Sequence, residues 1–247
     1  MKYVALIPAR LGATRFPAKL MASLKGKSVI RRTYESAVKT GLFDEVVVVT
    51  DSDIIWDEIM QIDGKAVKSL GEYESGTDRI AEVAAEMNAD VFINIQGDEP
   101  FVQREPLEKL LQVFEGRDAD HIQVASMVQL LTDPQLIEDP NYVKVAMDRH
   151  NNALFFSRSV IPYPRNTGIT IPYYEHIGVY AFRKKALMSF TLWPITPLEA
   201  AEKVECLRFL EHGVSIRMII TNYMGIEIDT PEDIIKAEKL MELKGWV

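Results

Sequence analysis

The chain has 247 residues, 47% hydrophobic and 26% charged, which is enough for one sizeable core or two smaller ones and too apolar for a disordered chain. Its 28 Lys and Arg against 36 Asp and Glu leave a formal charge of −8, which argues against a protein that coats nucleic acid or an anionic membrane. A single cysteine, Cys206, excludes an intrachain disulfide, and no apolar run has the length of a membrane span or the form of a signal peptide, so a cytoplasmic protein is expected.

Tyr3–Ile7 is a short continuous apolar run, the pattern of a strand buried on both faces. Ser28–Lys39 reads as a helix with Val29, Ile30, Tyr34 and Ala37 near one face and Gly41 as its stop. Glu45–Thr50 (EVVVVT) is a second buried strand, and Asp51 is placed to cap the helix after it. Thr77–Met87 has a helical period. Val91–Gln96 (VFINIQ) is a strand closed by Gly97-Asp98-Glu99-Pro100, and Glu105–Glu115 is a further helix. This alternation predicts an α/β chain with a parallel sheet covered by helices. Beyond residue 120 the rhythm loosens. Ile122–Val128, Val143–Asp148, Ala153–Phe156 and His176–Phe182 read as strands without helices between several of them, so mixed or antiparallel pairing is expected. Arg165–Pro172 is rich in turn formers. Pro197–His212 reads as helix, Val214–Thr221 as strand and Pro231–Lys244 as a final helix. No linker or repeat divides the chain, so 1–247 reads as a single domain.

The loop after the first strand holds Arg10, Arg15 and Lys19 within ten positions, with small residues between them. Such a loop wraps a polyanion, with backbone amides of Ala9 to Ala13 as further donors, or is simply a solvated basic loop. It matches neither G-x-x-x-x-G-K-[ST] nor G-x-G-x-x-G, which removes support for a P-loop NTPase or a dinucleotide oxidoreductase. Asp98 projects at a sheet edge after Gly97, where it suits Mg²⁺ shared with phosphates or serves as a charged turn. Thr230, Pro231 and Asp233 form an acidic capping box for the last helix. That box leaves Asp229 over as a candidate second metal carboxylate. Asp51-Ser52-Asp53 is a D-x-D triplet, read as a glycosyltransferase metal site or, better, as a helix cap. His176, beside Tyr173-Tyr174-Glu175, is a lone strand histidine of the kind that is more often structural than catalytic.

Taken in order, IPARLGATRFPAKL, ESGTDRIAE, NIQGDEPFV, NYVKVAMD, ALFFSRSVIPYPR, EHIGVYAFR, TPLEAAEKVECLRFLEHG and IDTPEDI closely resemble the 3-deoxy-D-manno-octulosonate cytidylyltransferase family over nearly the whole chain. The resemblance implies a Rossmann-like nucleotidyltransferase, with a mostly parallel mixed sheet covered by helices and a strand-rich dimerising subregion. Residues 1–120 are then mainly the CTP-binding half, and 121–247 mainly the sugar-binding and dimerisation half. It implies transfer of a cytidylyl group from CTP to an ulosonic acid with Mg²⁺, for lipopolysaccharide, by a homodimer without nucleic-acid or membrane partners.

By the same resemblance Arg10, Arg15 and Lys19 are triphosphate-side catalytic groups, and Asp98 and Asp229 are catalytic metal ligands. Pro8, Ala9, Ser75, Gly76, Thr77, Arg79 and Gln96 join Arg10, Lys19 and Asp98 around the nucleotide. Arg158, His176, Tyr180 and Glu205 face the sugar, with Arg158 gripping its carboxylate at two points. Two stretches depart from the family pattern. Cys206 stands where the family usually has Gln, and Met224-Gly225-Ile226-Glu227-Ile228 stands where a Gly-Val pair commonly precedes the Asp.

Overall fold

A computed structural model describes residues 1–247 except 13–15, 72, 74, 117, 118, 167, 223, 224 and 247. The chain begins with β1 (Tyr3–Ala9), a small hairpin of β2 (Ser23–Leu24) and β3 (Lys27–Ser28), and α1 (Val29–Lys39). β4 (Glu45–Thr50), α2 (Asp53–Met60), β5 (Ala66–Lys68), α3 (Gly76–Glu86) and β6 (Val91–Asn94) follow. Next come α4 (Arg104–Gln112), β7 (Val124–Leu131), α5 (Pro134–Glu138), β8 (Lys144–Met147), β9 (Ala153–Ser157) and β10 (Tyr173–Arg183). The chain ends with α6 (Lys184–Leu192), α7 (Pro197–Glu202), α8 (Leu207–Glu211), β11 (Ile216–Thr221) and α9 (Pro231–Lys244). Among the described residues no helix is long and apolar enough to cross a membrane.

Two compact units result, one of Met1–Arg104 with Met224–Val247, the other of Glu105–Tyr223. They do not follow a cut at residue 120, because α9 groups with the start of the chain.

In the first unit β6, β1, β4 and β5 pair in that order, all parallel. Val4 to Ile7 of β1 have no exposed surface, as the continuous apolar run requires. β1 runs two residues past Ile7, and its ladder with β6 stops at Leu6, so Pro8, lacking an N–H, lies beyond that ladder. Ser28 caps α1 by accepting from Arg31 N at 3.2 Å, and Gly41 leaves the helix at φ 62°. The cap of α2 is Ser52, which accepts from Ile55 N, and not Asp51, whose carboxylate goes to Arg79 at 3.0 Å. The capping box of Thr230 and Asp233 at α9 is present in full.

In the second unit β11 pairs parallel with β7, while β7–β10, β10–β8 and β8–β9 are antiparallel, the mixed pairing that the loosened rhythm predicts. Its core contains an aromatic ladder. Phe182 stacks between Tyr180 (5.7 Å) and Phe209 (5.6 Å), and Phe209 meets Phe190 at 5.0 Å. The single helix expected over Pro197–His212 is two helices. Lys203 turns left-handed at φ 54° and separates α7 from α8. A buried ion pair rejoins them. Arg208 Nε lies 2.8 Å from Glu199 Oε2 and Nη2 lies 2.6 Å from Oε1, with the guanidinium 3.8 Å from the Phe190 ring centre.

Arg208→Met leaves Glu199 charged and buried, and is expected to lower the unfolding free energy by about 3–5 kcal/mol. Urea unfolding followed by tryptophan fluorescence measures it, and a loss below about 1 kcal/mol would show the two-point pair to be dispensable.

Candidate active site

One cavity of about 210 Å³ in the first unit gathers most of the residues singled out for the nucleotide. Pro8 and Ala9 come from the end of β1, Gln96 and Asp98 from the turn after β6, and Ser75, Gly76 and Arg79 from the start of α3. Arg10 and Lys19 of the basic loop and Asp229, ahead of α9, complete the wall. Glycine makes the close approach possible. A Cβ on Gly97 would lie 2.9 Å from Pro8 O, and one on Gly76 3.0 Å from Pro8 Cγ. Thr33 Oγ1 donates to Gly97 O at 2.8 Å and Ile228 N donates to Asp98 O at 3.0 Å, so the turn carrying Asp98 is braced from both sides.

Lys19 is the hub of the charge arrangement. Its ammonium lies 2.5 Å from Asp98 Oδ2 and 2.7 Å from Asp229 Oδ1. Burial works against the ammonium, but Asp98 and Asp229 together outweigh it and hold Lys19 above its ordinary range. Glu227, which the sequence reading did not select, joins them. Carboxylate oxygens of Asp98, Glu227 and Asp229 lie within 4.8 Å of one another. Desolvation, then repulsion from Asp98, Glu99 and Asp229, pushes Glu227 well above the usual carboxylate range. The signal for it was available, since Glu227 and Asp229 are two positions apart, the spacing of one face of an extended segment. Three hard oxygen donors, with a cation already drawn between two of them, suit Mg²⁺.

The remaining nucleotide-side residues divide. Arg10 is exposed and pairs with no described carboxylate. Arg15 lies outside the described residues. Ser75 caps α3, accepting from Asp78 N at 3.0 Å and donating to Asp78 Oδ2 at 2.8 Å. Arg79 lines the cavity but is pinned, donating to Ser69 and Asp51 beneath the ring of Tyr73, a further wall residue not selected from sequence. Thr77 is buried, accepts from Asn94 Nδ2 at 3.1 Å and is not part of the cavity wall. The D-x-D triplet serves the fold, with Asp51 on Arg79, Ser52 as cap and Asp53 on Lys68 at 2.7 Å.

The sugar-side set lies in the second unit. A bulge in β10 shifts its register against β7 between Ile177 and Tyr180. That shift brings the His176 and Tyr180 rings to 5.2 Å, whereas four residues of regular strand would separate them by about 13 Å. Ser126 Oγ lies 2.8 Å from Val179 O, 3.3 Å from Ile177 O and 3.0 Å from His176 Nε2. Its one hydrogen goes to a carbonyl of the bulge, so His176 Nε2–H is the donor to Ser126. Burial pushes His176 down to about 3, and the ring is neutral near pH 7.

Tyr180 hydrogen-bonds Cys206, whose thiol burial pushes up, and Glu205 is its neighbour in the turn between α7 and α8. Arg158 donates through Nε to Glu202 O at 2.7 Å and through Nη1 to Pro140 O at 2.8 Å. The two-point grip on a sugar carboxylate is therefore not preformed, because two sides of the guanidinium are engaged by backbone carbonyls.

Comparison with known proteins agrees with this geometry. Residues 4–216 match the family described as cytidylyltransferase. A 3-deoxy-manno-octulosonate cytidylyltransferase of Flavobacterium johnsoniae is 53% identical over 241 residues, 98% of this chain and 99% of the relative. An 8-amino-3,8-dideoxy-manno-octulosonate cytidylyltransferase of Shewanella frigidimarina is 40% identical, over 96% of this chain and 98% of its own length. Among solved structures, a CMP:2-keto-3-deoxy-manno-octonic acid synthetase complexed with CTP superposes with a TM-score of 0.92 at 36% identity, covering 99% of this chain and 100% of that one.

Two outcomes follow from these charges. Lys19→Met removes the cation that competes for the carboxylates, and should tighten Mn²⁺ binding to the nucleotide-free protein by roughly tenfold in a calorimetric titration. Unchanged or weaker binding would show that Lys19 does not compete. Because the folded pKa of His176 is depressed, the unfolded chain binds a proton that the folded chain refuses, and stability falls as pH drops from about 6.5 toward 3. His176→Phe should remove that contribution when urea midpoints at about pH 7.5 and about pH 4.5 are compared, and an unaltered difference would place the pH dependence elsewhere.

Proposed function

The chain belongs to the cytidylyltransferase family, and from that premise we propose that it transfers the cytidylyl group of CTP to 3-deoxy-manno-octulosonate, giving the CMP-sugar and pyrophosphate. The observation that carries the proposal is the set of Asp98, Glu227 and Asp229 around Lys19 in a cavity that also presents Arg10.

The chemical difficulty is charge, since an anionic sugar must approach a polyanionic triphosphate. Arg10 and Lys19 face that charge, and Lys19 stabilises what builds on the leaving pyrophosphate. Asp98 and Asp229 would hold Mg²⁺, with Glu227 beside them. Bound there, Mg²⁺ would withdraw charge from phosphate oxygens and lower the pKa of the attacking hydroxyl. Pro8, Ala9, Gly76 and Gln96 form the closely packed wall against which the nucleotide is oriented. On the sugar side, neutral His176 orients hydroxyls and does not donate a proton, since its pKa is pushed down to about 3. Tyr180, Glu205 and the open Nη2 of Arg158 are the other contacts assigned to the sugar.

A homodimer belongs to the same proposal. Leu130, Leu154 and Ile220 are exposed apolar side chains on strands of the second unit, suited to burial against a second copy. So does a cytoplasmic location, in keeping with a lone buried Cys206 and no intrachain disulfide.

The test is pyrophosphate release from CTP and Mg²⁺, with 3-deoxy-manno-octulosonate and its 8-amino analogue compared as acceptors. The former is expected to be the better acceptor, in line with the 53% and 40% identities of the two relatives. Asp98→Asn and Asp229→Asn should each lower turnover by at least on the order of a hundredfold, as metal and transferring phosphate lose alignment. Near wild-type turnover in Asp229→Asn would leave that residue a purely structural role ahead of α9.

A further inference from the structure

A second cavity of the first unit, about 630 Å³, shares no lining residue with the first. It lies among the C-terminal half of α1, residues 100–104 and the end of α9. Its apolar part is aromatic, with Phe101 and Trp246 ring centres 5.5 Å apart and tilted by 37°, and Met241 beside them. An aromatic pair with a thioether offers a ring-shaped ligand polarizable contact on its faces and edges.

The rim is cationic although the whole protein carries −8. Lys27, Arg32, Lys39 and Arg104 line it against a single carboxylate, Glu35. That carboxylate is already bridged by Lys27 at 2.5 Å and Arg31 at 2.8 Å, which hold it below the usual range against the opposing effect of burial. Arg32 and Arg104 are fixed in place by donation to backbone carbonyls, Arg32 to Leu24 O and Lys25 O, Arg104 to Thr40 O. Lys39 is exposed and pairs with no described carboxylate. Lys39 thus gives the rim a positive charge that the one lining carboxylate, already bridged by Lys27 and Arg31, does not offset, and the cavity attracts anions.

We propose that this cavity is a second ligand site, for a planar aromatic ring carrying one anionic group. The ring packs on Phe101 and Trp246, and the anion meets Lys39. The site is separate from CTP binding and does not depend on which sugar is transferred.

The probe is 8-anilinonaphthalene-1-sulfonate, an aromatic ring system with a single sulfonate, titrated by fluorescence with CTP held at saturation. Saturable binding is expected, and Trp246→Ala and Lys39→Glu should each weaken it by at least about fivefold while leaving the CTP affinity unchanged. Both side chains reach solvent, so the variants are expected to fold, and matching circular dichroism checks this. No saturable binding, displacement of the probe by CTP, or wild-type affinity in both variants overturns the proposal.

Discussion

Lys19 holds together parts of the chain that lie far apart in sequence. Its partners Asp98 and Asp229 lie on a turn after β6 and at the entry to α9, and Asp229 is 210 residues away in sequence. Carboxylates this close repel one another, which adds to desolvation in raising Glu227, the third of them, above the usual carboxylate range. The surrounding structure is arranged to tolerate that crowding. Gly97 has no side chain to keep Pro8 at a distance, Thr33 fixes the carbonyl of Gly97, and Ile228 N closes onto Asp98 O. In the proposed reaction Asp98 and Asp229 would hold the metal at a site already shaped for positive charge.

The two units use their polar groups differently. In the first, charged side chains sit on loops at strand ends, where field and reach matter. In the second, His176 and Tyr180 are set into the body of a strand and continued by the ladder of Phe182, Phe209 and Phe190. Such packing fixes ring positions closely, and Ser126 donates its one hydroxyl hydrogen within the bulge, where Val179 O lies 2.8 Å away. Cys206 belongs to this packed region, buried against Tyr180, and brings no strong hydrogen-bonding group.

Much of the first unit was legible because its signals are local. EVVVVT and the run from Tyr3 are strands by composition alone, and the Thr230–Asp233 capping box fixes the start of α9 without tertiary help. The misreadings share a cause, which is that a distant partner decided the outcome. Asp51 was a sound cap candidate, but Arg79, 28 positions away, takes its carboxylate and Ser52 caps instead. The break at Lys203 carries no glycine to announce a left-handed residue and rests on the Glu199–Arg208 pair across it. The β10 bulge depends on Ser126 from a neighbouring strand. α6 follows β10 directly behind Arg183, without a side-chain cap, so no start signal marks it. In the cavity wall the sequence motifs single out Asp98 and Asp229 but neither Tyr73 nor the nearby Glu227, because neither of those completes a motif by itself.

The first unit is built from both ends of the chain, with the whole of the second unit between them in sequence. A ribosome therefore makes Lys19 and Asp98 well before Asp229, which follows Lys19 by 210 positions. Until residues 228 and 229 are made, the ammonium has Asp98 without Asp229, and the turn around Gly97 lacks its tie to Ile228. Translation itself thus acts as the timer of the site, and a message cut short anywhere upstream of residue 229 yields a polypeptide with an unfinished charge cluster.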